Sequence, residues 1–294
     1  MDAVITYVNG LDPIWQKEYA EAVGMDTFLD KRFRDWGTLK YLLRGIQTCM
    51  PFVRNVYLVV SSESQVPQWA DRDNLHVVLH RDIIPEKFLP VFNSTAIEMF
   101  LHRIEGLDEK YLYFNDDFFP MLPMAEEDFF EDGKASIHQA SHLFVMGNLF
   151  RYHVRNSYRF ACKAAGVSPG IFFRRPSHTV APFFRSQCEE LYDSHQEEIC
   201  ASVSPLRERY NLNQYLYADY ICLKGLSNGK RISNKHFSLA VAGFDKIVEF
   251  IACPSTKLVC INDVKIGQDE FLSFQKRLLG AFEGRFPQKS RFEL

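Results

Sequence analysis

Three adjacent polar residues close an aromatic, β-prone run in this 294-residue chain: Tyr111-Leu112-Tyr113-Phe114 leads into Asn115-Asp116-Asp117. Side chains alternate along a strand, so two neighbouring carboxylates cannot both face a core. A buried charge needs a partner or a metal ion. The carboxyl end of a strand suits such a pair, because open α/β sheets bind ligands there. Hard oxygen donors at that edge fit Mg²⁺ or Mn²⁺, and those ions fit a diphosphate. Taken alone, Asn-Asp-Asp is also an ordinary solvated turn. A second strand, Lys257 to Ile261, runs into Asn262-Asp263 and repeats the pattern, so the two ends are candidates to converge on one ion.

Other residues offer chemistry with less specificity. Asn9-Gly10 ends the first strand as a nucleotide loop or a plain β-turn would, and Asp12-Pro13 follows. Lys40 and Arg44 share a helix face, which fits a solvated surface or a phosphate clamp. Glu98 and His102 are four apart on an expected helix and share one face. His178 stands alone, and a lone histidine is more often structural than catalytic.

The elements that must hold these residues alternate between strand and helix. Strands are expected at Ala3–Val8, Val53–Ser61, His76–His80, Tyr111–Phe114 and Lys257–Ile261 from β-branched and aromatic content. Helices are expected from Asp12 to Ala22, from Thr38 to Met50 with Thr38 or Asp35 as cap, and from Asn93 to Ile104. Further helices are expected from Pro182 to Glu198, Asn213 to Leu223 and Glu270 to Phe282. Residues 125–175 mix Arg, His, Asn and Phe without a clean period. Its three histidines, His138, His142 and His153, match no common zinc spacing. The stretch reads as part of a helical insertion whose basic content suits an anionic substrate.

Bulk composition sets limits. Hydrophobic content of 47% and charged content of 24% suit a globular chain with a sizeable core. A net charge of −3 argues against a general nucleic-acid binder. No apolar run reaches membrane-spanning length, and Met1-Asp2-Ala3-Val4 does not open a signal peptide. The seven cysteines are odd in number and lack a Cys-x-x-Cys, which favours reduced thiols in a cytosolic setting. The 26 phenylalanines fit an aromatic core.

These residues resemble the Stealth family of hexose-1-phosphate transferases, in four blocks taken in order. The first runs from Asp2 through Tyr7-Val8-Asn9-Gly10-Leu11-Asp12-Pro13, with Tyr7 where the family usually has Trp. The second joins Arg32-Phe33-Arg34-Asp35 and Leu39-Lys40-Tyr41-Leu42-Leu43-Arg44 to Phe92-Asn93-Ser94-Thr95-Ala96-Ile97-Glu98 and Asn115-Asp116-Asp117. The third holds His178 and Arg207, where His178-Thr179-Val180 departs from the family's His-x-Pro-like run. The fourth is Cys260-Ile261-Asn262-Asp263 with the closing Phe286-Pro287-Gln288-Lys289-Ser290-Arg291-Phe292-Glu293.

The resemblance implies a Rossmann-like or GT-A-like nucleotide-sugar-binding sheet within one catalytic domain, its α/β core formed by residues 1–124 and 236–294. A mostly helical acceptor-side insertion would occupy about residues 125–235. It implies transfer of a sugar-1-phosphate, such as N-acetylglucosamine-1-phosphate, from a UDP-sugar to a sugar hydroxyl with release of UMP. Mg²⁺ or Mn²⁺ would sit on Asp117, Asn262 and Asp263. His178 would be the general base with Glu98 as runner-up, and Arg207 would grip phosphate oxygens. Tyr7, Asn9, Gly10, Asp12 and Ser62 would border the donor, and Lys40 and Arg44 would hold the leaving monophosphate. The partners would be a nucleotide-sugar and a carbohydrate acceptor, with the protein in the cytoplasm, peripheral to the inner membrane. The rival readings are a metal-dependent glycosyltransferase that releases UDP and a non-catalytic carbohydrate- or nucleotide-binding protein.

Overall fold

A computed structural model describes residues 1–24, 33–143, 147–238, 243–262 and 266–294. In chain order the elements are β1 (Asp2–Thr6), α1 (Pro13–Val23), α2 (Leu39–Cys49), β2 (Val56–Val60), β3 (Leu75–Leu79), α3 (His80–Ile83), α4 (Ser94–Glu98), β4 (Lys110–Asn115) and β5 (Phe118–Pro120). There follow β6 (Phe130–Glu131), β7 (Lys134–Ala135), β8 (Gln139–Leu143), α5 (Leu149–Ala164), β9 (Phe172–Pro176), β10 (Ala181–Phe184), α6 (Arg185–Ser194), α7 (Gln196–Ala201) and α8 (Tyr215–Leu223). The chain closes with β11 (Asn234–Ser238), α9 (Phe244–Ala252), β12 (Leu258–Asn262) and α10 (Gln268–Arg285). The fold is mixed α/β, with a five-stranded sheet in the order β10-β4-β1-β2-β3 and a three-stranded sheet in the order β11-β12-β5. Among the described residues, no helix is long and apolar enough to cross a membrane.

The chain divides into two compact units. One comprises Ile5–Val77, Phe114–Ala125 and Ser233–Leu294. Its α2 buries Leu39, Leu42, Leu43 and Ile46, the face that the helical spacing predicts. Gly45 lets α2 lie directly on β5, because a Cβ there would meet the Pro120 carbonyl at 2.8 Å. Tyr41 stacks on Phe282 of α10 with ring centres 5.5 Å apart, and Phe119 packs on the same ring at 4.6 Å. Thr38 occupies the N-cap of α2 without a side-chain bond, while Asp35 accepts instead from the Gly37 N–H at 2.7 Å.

The other unit comprises Met1–Val4, Val78–Tyr113 and Glu126–Ile232. The nearly all-buried helix α8 runs through its centre. Phe173 of β9 joins Val154, Tyr158 and Cys162 of α5 and Tyr215 of α8 in one buried cluster. Residues 126–232 carry β6 to β10 as well as helices, so strands and helices share this region.

Two expected helices differ in the structure. Pro182-Phe183-Phe184 is strand, paired antiparallel to β4 with Phe183 opposite Tyr111, and the helix starts only at Arg185. Proline tolerates an edge strand, and the two phenylalanines fill a sheet face better than a first helical turn. The helix opened by Asn93 ends at Glu98, and a separate 3₁₀ turn covers Leu101–Arg103. Glu98 and His102 therefore do not share a helix face. His102 lies against the Tyr192 ring, 4.9 Å between centres.

Candidate active site

β4 delivers the acidic motif as expected: Asn115 is its last residue, and Asp116 and Asp117 form the turn into β5. β5 pairs antiparallel with β12, Cys260 opposite Phe118. The Ile261 N–H donates to the Asp117 carbonyl at 2.9 Å. Strand pairing thereby brings the second motif beside the first. Cys260 and Asn262 are two apart on β12 and share a face. Cys260 Sγ lies 2.8 Å from Asn262 Oδ1 and 3.5 Å from Asp117 Oδ2. One thiol proton cannot serve both acceptors at once. Asp117 Oδ1 is buried and has no hydrogen-bond partner among the described residues.

Burial pushes the Asp117 carboxyl up to about 6, against the lowering effect of the Cys260 thiol. Burial, followed by the Asp117 charge, also raises the thiol, so Cys260 stays protonated as a donor. The orphaned Asp117 oxygen is a hard donor of the kind that suits Mg²⁺ or Mn²⁺. Asp263 lies outside the described residues.

In the same unit, a cavity of about 400 Å³ is lined by Tyr7, Asn9, Asp35, Ser64, Gln65 and Trp69 among others. That volume lies within the range of small-ligand sites. Tyr7 donates to Asp35 Oδ2 at 3.0 Å. Burial, then Asp35, then the charge of Asp116 hold the Tyr7 phenol in its protonated form. The loop after β1 is held by Gln65, a residue that sequence reasoning missed. Its side chain accepts from the Asn9 N–H at 2.6 Å and donates to the Asn9 carbonyl at 3.1 Å and to Asp12 Oδ2 at 2.7 Å. No local pattern marks Gln65, which comes from a 3₁₀ turn after β2.

Asp12 caps α1 by accepting from the Ile14 N–H and also accepts from Ser64 Oγ. Burial opposes its charge, yet the bonds from Ser64, Gln65 and the backbone outweigh that and hold it below the usual carboxylate value. Ser62 reaches this group through Ser64, with hydroxyls 2.9 Å apart. Gly10 is required for a different close approach from the one expected. Its N–H donates to the Phe33 carbonyl, and a Cβ would sit 2.2 Å from that oxygen.

Arg44 departs from its expected role as a phosphate clamp. It is 5% exposed, pairs through Nε and Nη2 with both oxygens of Glu293, and donates through Nη1 to Glu283 and the Phe286 carbonyl. Its guanidinium ties α2 to the carboxy-terminal segment. Lys40 lies over the Tyr41 ring, 4.9 Å from its centre.

The other unit holds Glu98, Arg207 and His178. Asn93 caps α4 and donates to Asn211, which in turn donates to Ser202 and Ser204. This buried amide network fixes the segment that carries Arg207. Arg207 Nη2 donates to Ser94 Oγ at 2.8 Å. Glu98 accepts from the Gln214 N–H at 2.7 Å and faces the Tyr113 hydroxyl at 3.5 Å. Burial pushes its carboxyl up to about 7, opposed by the Gln214 N–H, the Arg207 charge and Tyr113. Half-buried His178 has Nδ1 3.4 Å from the Tyr215 hydroxyl and meets the Phe150 ring edge-on. It precedes strand β10 rather than a helix.

Residues 32–138 match the family described as Stealth protein CR2, conserved region 2. The chain is 30% identical to the exopolysaccharide phosphotransferase cps2G of Lactiplantibacillus plantarum, over 100% of this chain and 96% of that protein. It is 29% identical to the receptor polysaccharide phosphotransferase WefC of Streptococcus oralis and 28% identical to the capsular polysaccharide phosphotransferase WcwK of Streptococcus pneumoniae. Both matches span 100% of this chain and 99% of the relative. Among solved structures, the galactosyltransferase LgtC aligns with 99% of this chain and 98% of its own at 11% identity, with a TM-score of 0.39.

Proposed function

Because this chain belongs to the Stealth family of phosphotransferases, we propose that it moves a sugar-1-phosphate from a UDP-sugar to a sugar hydroxyl. UMP leaves and a phosphodiester forms. The bond broken is the phosphoanhydride, and the new bond joins the acceptor oxygen to the phosphorus that carries the sugar. N-acetylglucosamine-1-phosphate is the example that the resemblance suggests.

The observation that carries this reading is the orphaned Asp117 carboxylate oxygen in the turn after β4, whose other oxygen faces the same Cys260 thiol that Asn262 accepts from. Asp117 and Asn262, with Asp263, would hold Mg²⁺ or Mn²⁺, and the ion would neutralise diphosphate charge. The same strand edge is where a Rossmann-like or GT-A-like sheet receives its ligand. Tyr7, Asn9, Gln65 and Ser64 shape the cavity offered to the nucleotide. Gln65 and Asp12 keep the Asn9 loop rigid, which lowers the ordering cost of binding.

On the acceptor side, His178 takes the proton of the attacking hydroxyl, because imidazole titrates near neutral pH. Tyr215 and Phe150 orient its ring. Arg207 binds phosphate oxygens. Glu98 accepts from the Gln214 N–H, lies under the Arg207 charge and is the second candidate for the base.

The test is incubation with Mg²⁺, a panel of UDP- and GDP-sugars and a mixed sugar acceptor, followed by mass spectrometry of the nucleotide released. UMP together with a phosphodiester product is expected. UDP would place the chain among glycosyltransferases, and donor binding without turnover would favour a binding protein.

A further inference from the structure

Among the described residues that line the cavity of about 400 Å³, Asp35 is the one that carries charge, and none is Lys or Arg. Phosphate oxygens placed there would meet no cation and would face the repulsion of a carboxylate. The cavity therefore suits an uncharged, hydrogen-bonding part of a ligand. Its place in the fold says which part. The loops that leave β1 and β2, neighbours in the five-stranded sheet, both line it, through Asn9 and through Ser64 to Trp69. Open α/β sheets bind their ligands outside the carboxyl ends of the strands.

Trp69 and Asp35 match a nucleobase. Trp69 is half-buried and its backbone is fixed. Its carbonyl accepts from the Leu294 N–H at 2.9 Å, and Ala70 beside it bridges antiparallel to Glu293. The indole supplies a flat apolar wall, on which any base can stack. Asp35 supplies the discrimination. Its Oδ2 accepts from the Tyr7 phenol at 3.0 Å and its Oδ1 from the Gly37 N–H at 2.7 Å. These bonds orient the carboxylate and leave each oxygen a further lone pair. A carboxylate accepts and cannot donate. Uracil and guanine carry a ring N–H to give it. Cytosine and adenine present a bare ring nitrogen, which would be left unsatisfied against it.

We propose that this cavity is the nucleobase subsite of the donor, in which Trp69 stacks on the base and Asp35 accepts the ring N–H of a keto base, uracil or guanine. This assignment rests on the proposed transfer only in taking the donor to be a nucleotide. A monosaccharide uses the same kinds of group, so it is the rival occupant in the test.

Calorimetric titration of the full chain with UMP, GMP, CMP and AMP in Mg²⁺ needs no turnover. UMP or GMP should bind about 10- to 100-fold more tightly than CMP and AMP, the range for one hydrogen bond to a charged group. Asp35→Asn keeps the shape of the side chain, weakens the acceptor and adds a donor, so this ratio should collapse toward unity. Trp69→Ala should weaken every nucleotide by about ten-fold and leave the ratio in place. Thermal midpoints check folding, and the wild-type ratio decides alone if a variant is unstable. The proposal is overturned if wild type binds no nucleotide, if it binds CMP as tightly as UMP and GMP, or if Asp35→Asn keeps the wild-type ratio. It is equally overturned if Trp69→Ala loses affinity for methyl N-acetylglucosaminide while binding UMP as wild type does. Selective binding of keto nucleotides with no UMP released from a UDP-sugar would instead fail the transfer reading and leave this subsite standing.

Discussion

Cys260 Sγ stands 3.5 Å from Asp117 Oδ2, so a weak thiol donor serves this carboxylate. The other oxygen has no hydrogen-bond partner among the described residues. Leaving a buried carboxylate so poorly served costs stability unless a cation or substrate completes it. That arrangement is the physical core of the proposed transfer site.

Asp117→Asn keeps the shape of the side chain and removes its charge. Turnover should fall by at least about 10²-fold, the usual loss when one electrostatic stabiliser is removed. Folding should be unharmed or improved, because a buried charge has gone. A variant with near-normal rate would end the assignment of Asp117 to the ion.

Glu98 makes stability depend on pH, with a definite sign. Its folded value, about 7, lies above its ordinary 4.5, so the native state holds the proton more tightly than the unfolded chain. The stabilising contribution is complete below about 4.5 and is lost as pH rises through about 7. The expected span is on the order of 3 kcal/mol. Urea midpoints measured across this window should decline for wild type and be flatter for Glu98→Gln. Parallel curves would show that Glu98 is not perturbed as described.

Arg44→Met should destabilise by roughly 3–5 kcal/mol, because it strands the buried Glu293 carboxylate without its partner. Donor affinity, measured on the folded fraction by calorimetry, should change little. A variant with intact stability and lost donor binding would restore the phosphate-clamp role to this arginine.

Gln65→Ala strips hydrogen bonds from Asn9 and Asp12 together. The cost should be about 1–3 kcal/mol in denaturation. Nucleotide-sugar affinity should fall with it, because Gln65 both lines the cavity and holds the Asn9 loop. Unchanged affinity in a destabilised variant would separate this loop from the donor.

His178→Ala should lower turnover by about 10²–10⁴-fold if the imidazole is the base. Full activity would move the base to Glu98.

Much of this was legible in the sequence where the signal is local. The spacing of Leu39, Leu42, Leu43 and Ile46 marks the buried face of α2, and Asn115-Asp116-Asp117 marks a strand end because adjacent carboxylates cannot sit within a core. The repeat of that ending at Asn262 anticipated the meeting of two strand ends, which the β5–β12 pairing brings about. Long-range partners were not legible. Nothing near Arg44 in the chain indicates Glu293, and nothing near Asn9 indicates Gln65. Pro182-Phe183-Phe184 has the apolar content of helix or strand, and only β4 beside it decides for strand. The helix beginning at Asn93 stops at Glu98, whose carboxylate instead accepts the N–H of Gln214, 116 positions away in the chain.

The central claim is that phosphorus, and not the sugar alone, crosses to the acceptor. A UDP-sugar labelled with ³²P at the sugar-linked phosphorus tests it most directly. The account predicts that the label passes into the acceptor product while unlabelled UMP is released. Label retained in UDP, with an unlabelled glycosylated acceptor, would contradict it.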